Sequence, residues 1–126
     1  MKSLVLLLHA RDLTTKLQSC IAVKYLSISS RGRLQLVEYQ GLLQLINLCK
    51  EQDLDLKREA TVALKNVSIA DCNKTAIVKE GGVGALVELC RYPDEKLSHQ
   101  ACGVLANLTE ASANKKKWSM TGYCNI

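Results

Sequence analysis

Gly41-Leu42-Leu43-Gln44-Leu45-Ile46-Asn47-Leu48-Cys49 and Gly82-Val83-Gly84-Ala85-Leu86-Val87-Glu88-Leu89-Cys90 begin two versions of one stretch of chain, set 41 positions apart. Gly41 recurs as Gly82, Leu45 as Leu86, Leu48 as Leu89 and Cys49 as Cys90. The match continues without a gap: Asp53 pairs with Asp94, Leu56 with Leu97, Ala60 with Ala101, Leu64 with Leu105, Asn66 with Asn107, Ala70 with Ala111, Asn73 with Asn114, Lys74 with Lys115 and Gly81 with Gly122. Thirteen of 41 positions are identical, where unrelated sequences of ordinary composition would share about two or three. The same shift lays residues 1–40 on 42–81, aligning Leu4, Leu7, Asp12, Leu13, Lys16, Ala22, Lys24, Ser27, Ile28 and Val37 with like or identical residues. A period near 40 predicts a helical solenoid, whose units bury their apolar faces against one another.

Inside one copy the apolar stretch Leu42 to Cys49 reads as a short helix. A polar turn leads to a longer pattern from Leu56 to Ile69, with Leu56, Ala60, Ala63, Leu64 and Val67 on one face of an amphipathic helix. Asp12, Asp53 and Asp94 precede the long helix of each copy, where a carboxylate accepts from free backbone N–H groups; they read as caps and not as catalytic acids. Asn73 and Asn114 precede a third short segment, Lys74 to Glu80 and Lys115 to Met120, closed by Gly81 and Gly122 as left-handed exits. Gly81-Gly82-Val83-Gly84 lacks the strand and the Lys-Ser/Thr ending of a phosphate loop and reads as the turn between copies.

The wider composition agrees. The chain has 126 residues, 48% of them hydrophobic and 23% charged, enough for one packed domain and too apolar for global disorder. The net charge of +5 is modest, and the basic residues are dispersed except for Lys115, Lys116 and Lys117, read as a solvated helix face; nucleic acid is disfavoured as a partner. The run Leu4 to Leu8 is too short for a secretory leader, and nothing approaches a membrane span. The six cysteines, at 20, 49, 72, 90, 102 and 124, form no C-x-x-C. They point to reduced thiols in the cytoplasm or nucleus, with Cys49 and Cys90 acting as small hydrophobes. Asn66-Val67-Ser68 and Asn107-Leu108-Thr109 spell glycosylation sequons, but their equal positions in two copies call for a structural explanation.

Residues Glu80 to Leu89 resemble the inter-repeat turn and second helix of the armadillo repeat family, and Ala101-Cys102-Gly103-Val104-Leu105-Ala106-Asn107-Leu108-Thr109 resembles its third helix. The resemblance covers residues 1–122, as repeats at about 1–40, 41–81 and 82–122, with 123–126 a tail or the start of a truncated fourth. It implies an all-α, right-handed α-solenoid of about three repeats, similar to β-catenin-like scaffolds, whose third helices line a concave groove. In that family an Asn near the end of the third helix reaches into the groove and bonds the main chain of an extended peptide. Asn66 and Asn107 match this Asn, and Tyr25 takes its place in the first copy. An amide offers both a donor and an acceptor to a passing peptide group; the same Asn could instead bond only to neighbouring backbone at a helix end. Importin-α-like members carry a Trp four residues earlier, where this chain has Ile21, Val62 and Gly103, which argues against basic import cargo.

Helical spacing adds Gln18 and Ile28, Arg58 and Ile69, and His99 and Glu110 to the same faces. Lys24, Lys65 and Arg58 would make the first two copies moderately basic, favouring an extended ligand with acidic and apolar residues. No pairing of nucleophile and base, metal-ligand cluster or nucleotide loop stands out. The expected function is therefore a non-enzymatic protein-interaction scaffold needing no cofactor, metal or small-molecule substrate. Two alternatives are an armadillo segment of a larger protein with a catalytic domain elsewhere, for example of ubiquitin-ligase type, and an importin-like transport adaptor. Met1 aligns with Leu42 and the chain stops soon after Gly122, so the terminal copies are expected to lack polar caps. A fragment of a longer array, or self-association through uncapped ends, is the corresponding expectation. Trp118 aligns with Ile77 and is expected to pack in the last helix.

Overall fold

Three aspartates start the three longest helices. The computed structural model describes residues 2–110, and in it Asp12, Asp53 and Asp94 accept from the backbone N–H groups of Thr15, Leu56 and Leu97 at 3.0, 2.9 and 2.9 Å. Each carboxylate satisfies an amide that the first helical turn leaves without a partner. The helices so begun are α2 (Leu13–Leu26), α5 (Leu54–Val67) and α8 (Glu95–Thr109). Shorter helices precede them: α1 (Lys2–Leu7), α3 (Ser30–Glu38), α4 (Gly41–Cys49), α6 (Asp71–Lys79) and α7 (Gly82–Cys90). The described residues are all-α. Asn114, Lys115 to Lys117, Trp118, Gly122, Cys124 and the proposed tail lie outside them.

The long helices lie side by side, α2 on α5 and α5 on α8, while α1, α4 and α7 back them in a second layer. Residues at equal positions in successive copies fill the interior: Leu45 and Leu86, Leu56 and Leu97, and Ala60 and Ala101 are all buried. The stack is thus a solenoid of a few repeats, with one core running its length. Leu64, near the C-terminal end of α5, is 1% exposed.

Turns between units follow the repeat. Gly81 stands before α7 at φ +82°, and its equivalent Gln40 stands before α4 at φ +61°. Both adopt the left-handed conformation that glycine enters without steric cost. The following Gly41 and Gly82 serve close packing instead: a Cβ would come within 2.2 Å of Leu36 Cδ1 and 2.6 Å of Ile77 Cγ2, respectively.

Helix limits depart from the pattern in instructive ways. The long helix of the second copy runs from Leu54 to Val67 where Leu56 to Ile69 was expected. Asp53 caps it directly, and the buried Ser68 hydroxyl ends it by donating to the Lys65 carbonyl at 2.7 Å. The third segment starts at Asp71, so Asn73 lies inside α6 and not before it. Asn73 is buried and donates from Nδ2 to the Val67 carbonyl at 3.1 Å, tying α6 to the end of α5. Among the described residues, no helix is long and apolar enough to cross a membrane.

Candidate partner groove

Burial of Leu56, Ala60, Ala63, Leu64 and Val67 turns the opposite side of α5 outward. Val62 and Asn66 on that side are half-buried and Ile69 is exposed. The 41-residue repeat places Ile21, Tyr25 and Ile28 in the same positions on the first long-helix unit, and Gly103, Asn107 and Glu110 on the third. Because α2, α5 and α8 are neighbours, these positions form three rows across one wall. The first row, Ile21, Val62 and Gly103, is half-buried. Among the described residues Tyr25, Ile28 and Ile69 stand 63%, 63% and 59% exposed, forming an apolar margin.

The two asparagines bond across the seams between the long helices, mainly to serine hydroxyls and not only to backbone at a helix end. Asn66 Nδ2 donates to Ser27 Oγ at 3.1 Å and to the Lys24 carbonyl at 3.3 Å, at the end of the preceding long helix. Asn107 Nδ2 donates to Ser68 Oγ at 2.9 Å in the same way. Ser27 and Ser68 are fully buried, and their hydroxyls donate to the carbonyls of Lys24 and Lys65. Each Asn therefore pins its helix to the one before it. The amide oxygens of Asn66 and Asn107 take no part in these bonds. Ser27 and Ser68 escaped the sequence reading as site residues, although their 41-residue spacing, shared with Thr109, is a usable signal.

The charge pattern differs from the basic strip expected. Lys24 Nζ lies 2.6 Å from Glu59 Oε2, and that partner raises the Lys24 pKa above its ordinary value. Arg58 is paired across the α5–α8 seam with Asp94, and also lies 3.5 Å from Asp55. Its hydrogen bond to Asp94, followed by the backbone bond from Leu97, holds the Asp94 carboxyl below the ordinary 3.8. Two of the three cations are thus already met by carboxylates. Lys65 is placed otherwise: it occupies the position of Lys24, but the equivalent of Glu59 is Gln100. The Lys65 side chain lies along α8, where a Cβ on Gly103 would meet its Cε at 3.1 Å and its Nζ at 3.4 Å. Glu110, though exposed, lies 3.9 Å from the ammonium of the buried Lys74. Tyr25 lies under the Lys24 ammonium, 4.6 Å from the ring centre.

A family model, the Armadillo/beta-catenin-like repeat, matches residues 29–69 and 71–110. This chain belongs to the armadillo repeat family. The two matched armadillo units correspond to α3–α5 and α6–α8, each a short helix, a second short helix and a long one. An engineered protein of known crystal structure is 29% identical over 84% of this chain and 44% of its own, with a TM-score of 0.80. A designed armadillo repeat protein is 17% identical, covering 97% of this chain and 52% of its own with a TM-score of 0.87. Another design, in complex with the peptide (KR)4, is 18% identical with the same coverages and TM-score. Those designs share the fold, and the present chain spans about half of their length. No curated protein matched the chain.

Proposed function

We propose that the chain is a non-enzymatic interaction module holding an extended segment of a partner protein along the wall of α2, α5 and α8. The reading rests on one observation: Asn66 and Asn107 recur at equivalent positions of adjacent long helices, and the seam bonds use their amide N–H groups and not their amide oxygens. The half-buried Ile21 and Val62 and the exposed Tyr25, Ile28 and Ile69 suit apolar side chains of the ligand. Lys65, without the carboxylate that Lys24 has, suits an acidic one. A designed armadillo repeat protein of the same fold is known in complex with (KR)4. Here the absence of Trp at 21, 62 and 103, together with Lys65, favours an acidic and apolar segment over a basic one. Residence in the cytoplasm or nucleus fits the free cysteines.

The test must separate groove from seam, because Asn66 and Asn107 serve both. Affinity for acidic-apolar and basic extended peptides should be measured on the Asn66→Ala/Asn107→Ala double variant and on Ser27→Ala/Ser68→Ala. The serine variant loses the inter-helix bonds to Ser27 Oγ and Ser68 Oγ, retains the Asn66 bond to the Lys24 carbonyl, and keeps both amides. A loss of about tenfold or more in the asparagine variant alone, on the acidic-apolar peptide, is expected for hydrogen bonds of this kind. Equal affinity in all three proteins, or preference for the basic peptide, would count against the reading.

A further inference from the structure

One pair of positions, at the end of the short helix and on the long helix, recurs in every unit. In the first unit the pair is Leu8 and Cys20, in the second Cys49 and Thr61, in the third Cys90 and Cys102, each 41 residues from the last. Cys49 Sγ and Thr61 Oγ1 are 3.6 Å apart and both residues are buried. In the third unit the partners are both thiols, with sulfurs 3.1 Å apart between α7 and α8. Cys102 is exposed and Cys90 half-buried, so reagents in water reach one sulfur while the other waits beside it. Among the described residues no cluster of three metal-ligating side chains exists.

We propose that Cys90 and Cys102 form a reversible dithiol site that closes into an α7–α8 disulfide in response to a peroxide or a disulfide such as oxidised glutathione. Closure requires the sulfurs to approach by about 1 Å to bonding distance. Cys102 is the entry thiol. With peroxide, its thiolate takes one oxygen to give a sulfenic acid, and the other peroxide oxygen leaves as water. The Cys90 sulfur then attacks the sulfenic sulfur; the S–O bond breaks, and the hydroxyl departs with the Cys90 proton as a second water. Two electrons pass from the sulfur pair to the peroxide, and a thiol reductant reverses the step. With a small disulfide, Cys102 attacks one of its sulfurs, the S–S bond breaks and the first small thiol leaves; Cys90 then attacks the Cys102 sulfur of the mixed disulfide, and the second small thiol departs with the Cys90 proton. Burial, then the neighbouring Cys102, pushes Cys90 up to about 11, which fits its place as resolving partner and not as first nucleophile. Burial pushes Cys49 up to about 11 and Cys20 up to about 12, so the equivalent positions of the earlier units act as internal controls.

The intact, folded chain is treated with hydrogen peroxide or oxidised glutathione, free thiols are alkylated, and tryptic peptides are analysed by mass spectrometry. The expected product is peptide 80–91 linked to peptide 97–115, lost on dithiothreitol, with Cys20 and Cys49 recovered reduced. In Cys90→Ser, Cys102 should instead accumulate as sulfinic acid or as the glutathione adduct. Identical Cys102 products in the two proteins would overturn the proposal. So would a link from Cys102 to Cys72, to Cys124 or to a second chain, with Cys90 still alkylated. A Cys102→Ser variant, in which Cys90 stays reduced under the same treatment, distinguishes entry through Cys102 from direct attack on Cys90.

Discussion

The seam between α2 and α5 and the seam between α5 and α8 solve the same packing problem with different charges. Both carry an Asn donating to a buried Ser at the end of the preceding helix. Around that constant the polar pairs change from unit to unit. Lys16 meets Glu51 at 3.0 Å, while its equivalent Lys57 lies 5.3 Å from the ring centre of Tyr92, the equivalent of Glu51. Lys24 meets Glu59, while its equivalent Lys65 crosses Gly103. Arg58 meets Asp94, where the first seam has Leu17 and Asp53 at those positions. Neutral hydrogen bonds beneath the surface set the register of stacking, and the ion pairs tune the wall above them. These pairs are part-buried and still reached by water, where an ion pair contributes modestly to stability and can vary from unit to unit.

Breaking both seams together gives the largest effect. Leu64→Ala opens a cavity in α5, which packs on both α2 and α8, and thermal or urea unfolding should show a loss of about 2–5 kcal/mol. The asparagines divide the seams. Asn66→Ala removes bonds to Ser27 Oγ and the Lys24 carbonyl, Asn107→Ala only the bond to Ser68 Oγ. Unfolding should therefore report the larger loss for Asn66→Ala, with each in the range of about 1–2 kcal/mol. A larger loss for Asn107→Ala would reverse the ranking of the seams.

Acid sharpens the contrast by a smaller amount. Arg58 and the Leu97 N–H hold the native Asp94 carboxyl below its ordinary value, and bonds from Thr15 do the same for Asp12. On acidification the unfolded chain takes up these protons first. Their contribution is intact above the ordinary 3.8 and is lost as pH falls through the native pKa values. Asp94→Asn should flatten the decline in melting temperature below about pH 4, seen by circular dichroism across a pH series. At the other extreme Lys24, raised by Glu59, stabilises below its unfolded pKa and loses that contribution as alkaline pH passes the native one.

The architecture was legible because a 41-residue period repeats its apolar positions, its capping aspartates and its Gly81 exit, and each of these acts locally. The asparagine rows were legible for the same reason. Their partners were not, since Asn66 reaches 39 residues back to Ser27, and amphipathic spacing records which side a residue faces without recording what meets it there. Lys24 and Arg58 looked like free cations because Glu59 and Asp94 approach them from neighbouring helices. Asn73 was misplaced because a polar residue before an apolar run resembles a cap, whereas here Ala70 starts α6 and the Asn side chain turns back to the Val67 carbonyl. The Cys90 and Cys102 sulfurs stand 12 residues apart in sequence, on separate helices, and no spacing rule for cysteines joins them.

Since the amide N–H of one unit donates to a hydroxyl of the unit before it, each link acts as a nearest-neighbour coupling constant in a linear Ising chain. Fraying of α2 deprives Asn66 of its two acceptors, and the defect is passed to α5 at the cost of those contacts. Amide exchange should accordingly slow toward the middle unit, where α5 draws protection from both sides.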